Sequence, residues 1–125
     1  MTGQAKSNGV TGADAAVLAI SSDTMGRGDE ALGAILIRSF FHTVGEAEQD
    51  PGAVIFYNTG VKLVIEGSPI LDDLQKLAGR GVKILACGTC LGHFGLKEKI
   101  VVGEISNMYA ITEILMGPGK VVNLG

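Results

Sequence analysis

The stretch that decides the fold is Val82-Lys83-Ile84-Leu85-Ala86-Cys87-Gly88-Thr89-Cys90-Leu91-Gly92-His93. Its apolar run, residues 84–86, predicts a buried strand, and Leu91 begins a predicted short helical turn. Between the two lie the only cysteines of the chain, Cys87 and Cys90, in a Cys-x-x-Cys spacing. Backbone N–H groups at the start of a helix favour a thiolate. The stretch therefore predicts a strand, a turn and a helix that present reactive sulfur.

Apolar runs of the same kind recur along the chain and alternate with helical patterns. The predicted strands are residues 15–22, 53–57, 82–86, 100–102 and 120–124, and the longer predicted helices are residues 29–44, 68–78 and 106–116. This alternation predicts a mainly parallel, five-stranded sheet with right-handed crossovers and helices on both faces. We expect a three-layer α/β/α domain of the Rossmann/flavodoxin-like type.

The helix ends and the first helix face are also predicted from the pattern. Ser68 and Ser106 are expected as N-caps, with Pro69 in the first turn of its helix. The first helix is expected to turn one apolar face to the sheet, formed by Leu32, Ile35, Leu36, Phe40 and Val44.

Composition limits the class of protein. The chain has 125 residues, of which 46% are hydrophobic and 18% charged, and its net charge is −3. Nucleic-acid binding needs a basic surface, which this balance disfavours. We find no export signal and no apolar run near the roughly 20 residues of a membrane span, so we expect a cytoplasmic protein with reduced cysteines. Residues 1–13 are expected to be a flexible leader, followed by one domain, residues 14–125.

Polar residues follow most of the predicted strands. In a parallel sheet these loops share one edge, where ligands bind. The edge gathers the two cysteines and a set of wall residues, namely Asp23, Arg27, Asn58, Thr59, Gly60, Gly88, Thr89, Ser106 and Asn107. We expect a single site there.

The Cys-x-x-Cys pair has several interpretations. A nucleophilic thiol is the leading one: Cys87 is expected to face the crevice at the end of its strand, and Cys90 to resolve a disulfide or persulfide. A redox disulfide and two buried packing residues are the alternatives. Zinc would need two more ligands, and neither His42 nor His93 stands at metal-ligand spacing, so no metal is expected.

Two further stretches bear on the site. Residues 26–33 follow the first strand but do not match the dinucleotide or P-loop spacing, so we expect a turn with a capped helix and no cofactor. Arg27 is the cation there that would attract an anionic sulfur or selenium species. Residues 61–65 are apolar for a loop and predict a short extra strand, a lid over the sheet edge or a subunit contact.

With these residues placed, the chain resembles the DsrE/DsrF-like family of small α/β domains that carry sulfur as a cysteine persulfide. Within it, the chain is most similar to the C-terminal domain of YedF-type selenium metabolism proteins. The resemblance rests on residues 23–29 and 56–63, and most specifically on Cys87-Gly88-Thr89-Cys90-Leu91 and Ser106-Asn107-Met108-Tyr109.

The resemblance implies a DsrEFH-like fold and assigns the working cysteine to Cys87, while Cys90 matches the YedF-type pattern. It also implies protein partners in a sulfur relay, among them TusA-like proteins, and assembly into a homo-oligomer. YedF-type proteins usually carry a TusA-like domain ahead of this one. We recognise none in the leader, which fits either a removed upstream domain or a stand-alone version.

The sequence therefore predicts a carrier that holds sulfur or selenium on Cys87 as a persulfide and passes it to a partner protein, without nucleic acid or membrane. A thiol–disulfide oxidoreductase that uses Cys87 and Cys90 is one alternative. The other is a non-enzymatic assembly domain of sulfur or selenium metabolism whose cysteines only pack.

Overall fold

A computed structural model describes residues 15–125. Its sheet has five strands in the order β4-β3-β2-β1-β5, and every pair is parallel. The strands are β1 (Val17–Ile20), β2 (Ala53–Phe56), β3 (Lys83–Cys87), β4 (Glu104–Ser106) and β5 (Val121–Leu124). The helices are α1 (Glu30–Glu46), α2 (Leu71–Gly79), α3 (Gly88–His93) and α4 (Met108–Leu115), with 3₁₀ turns at Asn58–Leu63 and Lys97–Lys99. The predicted α/β class with a parallel sheet is confirmed.

The strand order places the helices on two faces. From β1 the chain steps to β2, β3 and β4 at one edge, and then returns past β1 to β5 at the other. Alternate strand residues therefore enter two cores. Phe56 packs in the core that also holds Phe41 of α1 and Leu74 of α2, whereas Ile55 packs with Ile111 of α4. One face is covered by α1 and α2, and the opposite face by α4.

The predicted inner face of α1 is right for Phe40 and Val44, which pack against the core, and wrong for its other three residues. Leu32, Ile35 and Leu36 are exposed, while the buried positions are Gly33, Ile37, Phe41 and Gly45. A Cβ on Gly33 would lie 2.8 Å from the Thr24 Cβ, so the loop after β1 packs directly on the helix backbone there. The helix turns its glycine-bearing face inward because that face allows the closer approach.

The predicted fourth strand is also wrong. β4 lies at Glu104–Ser106, and Ile100 instead forms an isolated antiparallel bridge with Ile65. Gly103, at φ +88°, sits against Ile84, where a Cβ would lie 2.7 Å from the Ile84 side chain. The apolar run 100–102 thus pairs with an upstream loop, and the chain joins the sheet only after this glycine turn.

Residues 61–65 prove to be part of the core. Val61, Leu63 and Val64 are fully or almost fully buried at the end of the 3₁₀ turn, and Ile65 makes the bridge to Ile100. The expectation of a subunit contact is wrong for Val61, Leu63 and Val64, because their apolar surface already packs inside their own chain.

The helix starts differ slightly from prediction. Asp29 caps α1 by accepting the Leu32 N–H at 2.9 Å. Ser68 accepts the N–H of Ile70, but α2 begins only at Leu71. For α4, the predicted cap Ser106 lies in β4 instead, and its neighbour Asn107 takes the N-cap position. Within residues 15–125, no helix has the length and apolar character needed to cross a membrane.

Candidate functional site: the cysteine turn

Cys87 is the last residue of β3 and is buried, with 1% of its surface exposed. It packs in the core on the α4 side of the sheet, with Val17, Ile55 and Ile111. The expectation that Cys87 faces an open crevice is therefore wrong in this chain. The cause is topological: α4 crosses back over the sheet face to which this strand position points.

Cys90 lies one turn into α3 and is partly exposed. Its side chain packs against both cores, in one of which it lies beside Cys87. The Cys90 Sγ also accepts the backbone N–H of Asn58 at 3.1 Å, from a loop 32 residues away in the chain. The two sulfurs thus form a pair with one member inside the core and the other at the surface.

The backbone of Asn58 is shaped to make this contact. Its φ of +51° is the one positive value among the non-glycine residues of the described chain. Asparagine is enriched in this left-handed region because its short polar side chain bonds locally, and here Oδ1 accepts the N–H of Thr59 at 2.8 Å. The turn directs the Asn58 backbone N–H towards the Cys90 sulfur, and the Asn58 side-chain amide accepts a hydrogen bond from the next residue.

Two glycines bring the loops of the site together. A Cβ on Gly60 would overlap the backbone carbonyl oxygen of Ile20 at the end of β1. A Cβ on Gly88 would lie 3.0 Å from the carbonyl oxygen of Ser106 in β4. Both positions therefore serve close backbone approach, which fixes where the loops after β2 and β3 lie.

The other predicted wall residues occupy different places. Ser106 pairs with Cys87 across the sheet, and Asn107 accepts the Ala110 N–H at 2.9 Å as the cap of α4. Arg27 and Thr89 are exposed. Asp23 lines a separate cavity of about 320 Å³, together with, among others, Thr24, Lys62, Glu66 and Ser68. Neither cysteine lines that cavity, so the structure gathers only some of the predicted wall around the thiols.

The two histidines lie apart from the cysteines. His42 Nδ1 is 3.5 Å from Asp73 Oδ1 on α2, and the His93 ring makes an edge contact with Phe94. Within residues 15–125, no three side chains of His, Cys, Asp or Glu are grouped so that they could hold a metal ion.

Comparison with known proteins identifies the family of the chain. The sequence profile of the DsrE/DsrF-like family matches residues 14–123. The chain belongs to the DsrE/DsrF-like family. No curated protein matches it.

Two solved structures share the DsrE-like fold of this chain. One is the protein of unknown function MTH1491 from Methanobacterium thermoautotrophicum, with a TM-score of 0.62 and 22% identity over 86% of this chain and 96% of that one. The other is the YchN protein from E. coli, with a TM-score of 0.61 and 16% identity over 88% and 98%. At these identities the likeness establishes the fold alone.

The electrostatics of this DsrE-like site centre on Cys90. Burial raises the pKa of its thiol above the ordinary value, and the nearby sulfur of Cys87 raises it further. The Asn58 N–H acts in the opposite direction, because a hydrogen bond to the thiolate stabilises the charged form. The surface thiol is therefore kept mainly protonated at neutral pH, with one backbone donor in place for its anion.

The raised pKa predicts a pH profile for alkylation. In a Cys87→Ala variant, where Cys90 is the sole thiol, the iodoacetamide rate should rise with pH and reach its midpoint at a higher pH than in the urea-unfolded variant. Only the thiolate reacts, and burial, the largest cause of the shift, persists in this variant. Steric protection lowers the rate at every pH and leaves the midpoint unchanged. A native midpoint at or below the unfolded one would contradict the assignment.

Two contributors to the site were not predicted from the sequence. The donor at Cys90 is a backbone N–H, which every residue but proline carries, so the identity of residue 58 alone does not indicate it. Ile111 covers the buried cysteine from α4. The apolar periodicity of α4 indicates that Ile111 faces the sheet. Which strand it covers depends on the strand order, which the periodicity does not give.

Proposed function

We propose that this DsrE-like chain is a sulfur carrier that holds sulfur, or selenium, as a persulfide on Cys87 and delivers it to a partner protein, with Cys90 assisting. The observation that carries the proposal is the pair of neighbouring cysteines, one buried at a strand end and the other partly exposed. Family membership supports the same class of function, because DsrE-like proteins take part in sulfur relay.

The environment of Cys87 suits a protected store. A persulfide is a reactive species, and exclusion of water from a site suppresses side reactions. Cys87 is walled by Val17, Ile55 and Ile111, and its neighbouring polarisable atom is the sulfur of Cys90. A partner protein would therefore exchange the sulfur stored on Cys87 through Cys90.

The finer assignments form part of the same proposal. Similarity to YedF-type proteins in the Cys-Gly-Thr-Cys-Leu segment supports a place in selenium metabolism, a TusA-like donor or acceptor, and assembly into a homo-oligomer. We place the carrier in the cytoplasm, where thiols remain reduced.

The test is incubation with a cysteine desulfurase and cysteine, followed by desalting and intact mass measurement. Wild-type protein should retain an adduct of the mass of one sulfur atom, which peptide mapping locates on Cys87. Cys87→Ala should retain less of it after desalting, since the sulfur then stays on the partly exposed Cys90. The Cys87→Ala/Cys90→Ser double variant is the matched control and should take up none.

Absence of an adduct on the wild type, or equal retention by Cys87→Ala, would contradict the proposal. In that event slow alkylation of both native thiols, with full labelling after unfolding, would leave a packing role for the pair.

A thiol–disulfide oxidoreductase is the second candidate, favoured by the same proximity of the two sulfurs. A disulfide needs the Cβ atoms about 3.5–4.5 Å apart, a geometry that a turn into a helix can provide. Reduction of insulin that is lost in both Cys87→Ala and Cys90→Ser, together with no retained sulfur adduct, would favour this function over carriage.

A further inference from the structure

We propose that Cys90 is the residue that takes sulfur from the donor, and that the sulfur then moves inward to Cys87. The inference rests on the proposed function and divides its chemistry between the two thiols. It assigns to Cys90 the first nucleophilic step, which the family resemblance does not give it.

Accessibility is the first argument. A donor persulfide on another protein is reached only by a thiolate at the surface, because attack requires the nucleophile to approach in line with the breaking S–S bond. Cys87 is 1% exposed and is covered by Ile111, whereas Cys90 is partly exposed at the carboxyl edge of the sheet. Direct attack by Cys87 would require α4 to move off the sheet.

The hydrogen bond to Cys90 is the second argument. The Asn58 backbone nitrogen lies 3.1 Å from the Cys90 Sγ and donates a hydrogen bond to it. A hydrogen bond to an anionic sulfur lowers its energy both when the thiolate attacks and when it leaves. Cys90 takes both roles in the proposed order of steps: it attacks the donor and later leaves as sulfur passes to Cys87.

The first step transfers one neutral sulfur atom from the donor. The Cys90 thiolate attacks the outer sulfur of the donor persulfide, a new S–S bond forms at Cys90, and the donor's S–S bond breaks. The electron pair of the broken bond stays on the donor as a thiolate. Cys90 then carries a neutral persulfide, whose proton came with the donor's outer sulfur, and no external oxidant or reductant takes part.

The second step moves the same atom inward. The sulfur of Cys87 attacks the outer sulfur of the Cys90 persulfide, and the electron pair of the bond that breaks stays on Cys90. The Cys87 thiol proton passes to the neighbouring Cys90 sulfur, which becomes a thiol. The products are a neutral Cys87 persulfide and a Cys90 thiol, so atoms, charge and electrons balance.

The test uses inorganic tetrasulfide as a small donor, with acid quenching at successive times and intact mass measurement. Cys90→Ser should slow sulfur uptake roughly tenfold or more relative to Cys87→Ala, because only the buried thiol remains. In Cys87→Ala the sulfur should stay on Cys90, where cyanide removes it faster than from the wild type.

Peptide mapping of the wild type gives a second measurement that does not depend on a variant. At the earliest times the added sulfur should lie on Cys90, and later on Cys87. First appearance on Cys87, or uptake by Cys90→Ser as fast as by Cys87→Ala, would overturn the order of steps and leave carriage on Cys87 standing. Absence of uptake by every form would instead contradict the proposed function itself.

Discussion

Phe41→Ala should lower the free energy of unfolding by about 3–5 kcal/mol, the range for loss of a fully buried aromatic side chain. Phe41 is 0% exposed, and its ring stacks on that of Phe56 in β2 with centroids 5.9 Å apart. The substitution removes the ring contact between α1 and β2, and neighbouring side chains fill the cavity only in part.

Phe40→Ala is the matched control for this change. Phe40 is the preceding residue of the same helix and is half-buried, and its ring meets that of Phe41 edge-on at 5.2 Å. Its loss should cost about 1–2 kcal/mol, since less apolar surface returns to water. Urea unfolding followed by circular dichroism measures both values. Equal losses for the two variants would show that Phe41 does not anchor α1.

The buried strands were predictable from the sequence for a physical reason. A parallel strand covered on both faces is a continuous apolar run, and β1, β2 and the buried part of β3 coincide with such runs. The edge strand β5 is only partly buried, but three of its four residues are apolar. β4 lies at the sheet edge, where Glu104 and Ile105 are exposed, so its residues carry no strand pattern. The nearby residues 100–102 have the apolar pattern of a buried strand, but Ile100 pairs with Ile65 outside the sheet.

The inner face of α1 was not predictable from hydrophobicity. The helix is apolar on more than one side, and the exposed Leu32, Ile35 and Leu36 outweigh the glycines on the inner side in any apolar count. The buried side combines the large Ile37 and Phe41 with the close fit of Gly33 against Thr24. Such a fit depends on tertiary contact and leaves no periodic signal.

The sequence predicts where the site lies in the fold, but not the burial or the hydrogen bonding of its cysteines. Cys87 and Cys90 follow the third strand as expected, because the loop positions derive from the parallel topology. The burial of Cys87 depends on which face α4 covers, and that depends on a strand order that local pattern does not contain. The N–H bond at Cys90 depends on the left-handed turn at Asn58.

Gly60→Ala should destabilise the protein by at least about 1–3 kcal/mol, the range for overpacking a close-packed site. The added methyl group would overlap the Ile20 carbonyl oxygen, which also accepts the Tyr57 N–H at 3.0 Å. That oxygen belongs to the backbone at the end of β1, so it cannot rotate away as a side chain would. The loop after β2 must shift instead, and it carries the Asn58 N–H away from Cys90.

Gly79→Ala is the matched control at a glycine with open surroundings. Gly79 ends α2 with no heavy atom within 4 Å of an added Cβ, so alanine should raise the free energy of unfolding by about 0.4–1 kcal/mol. Urea unfolding compares the two variants, and iodoacetamide labelling at a fixed pH reports on the site. Gly60→Ala should label faster at Cys90 than Gly79→Ala does, because the shifted loop uncovers the thiol and relieves the burial that raises its pKa, an effect larger than the loss of the Asn58 N–H. Stability and labelling that match the control would mean that the fit of Gly60 against β1 does not position the loop that meets Cys90.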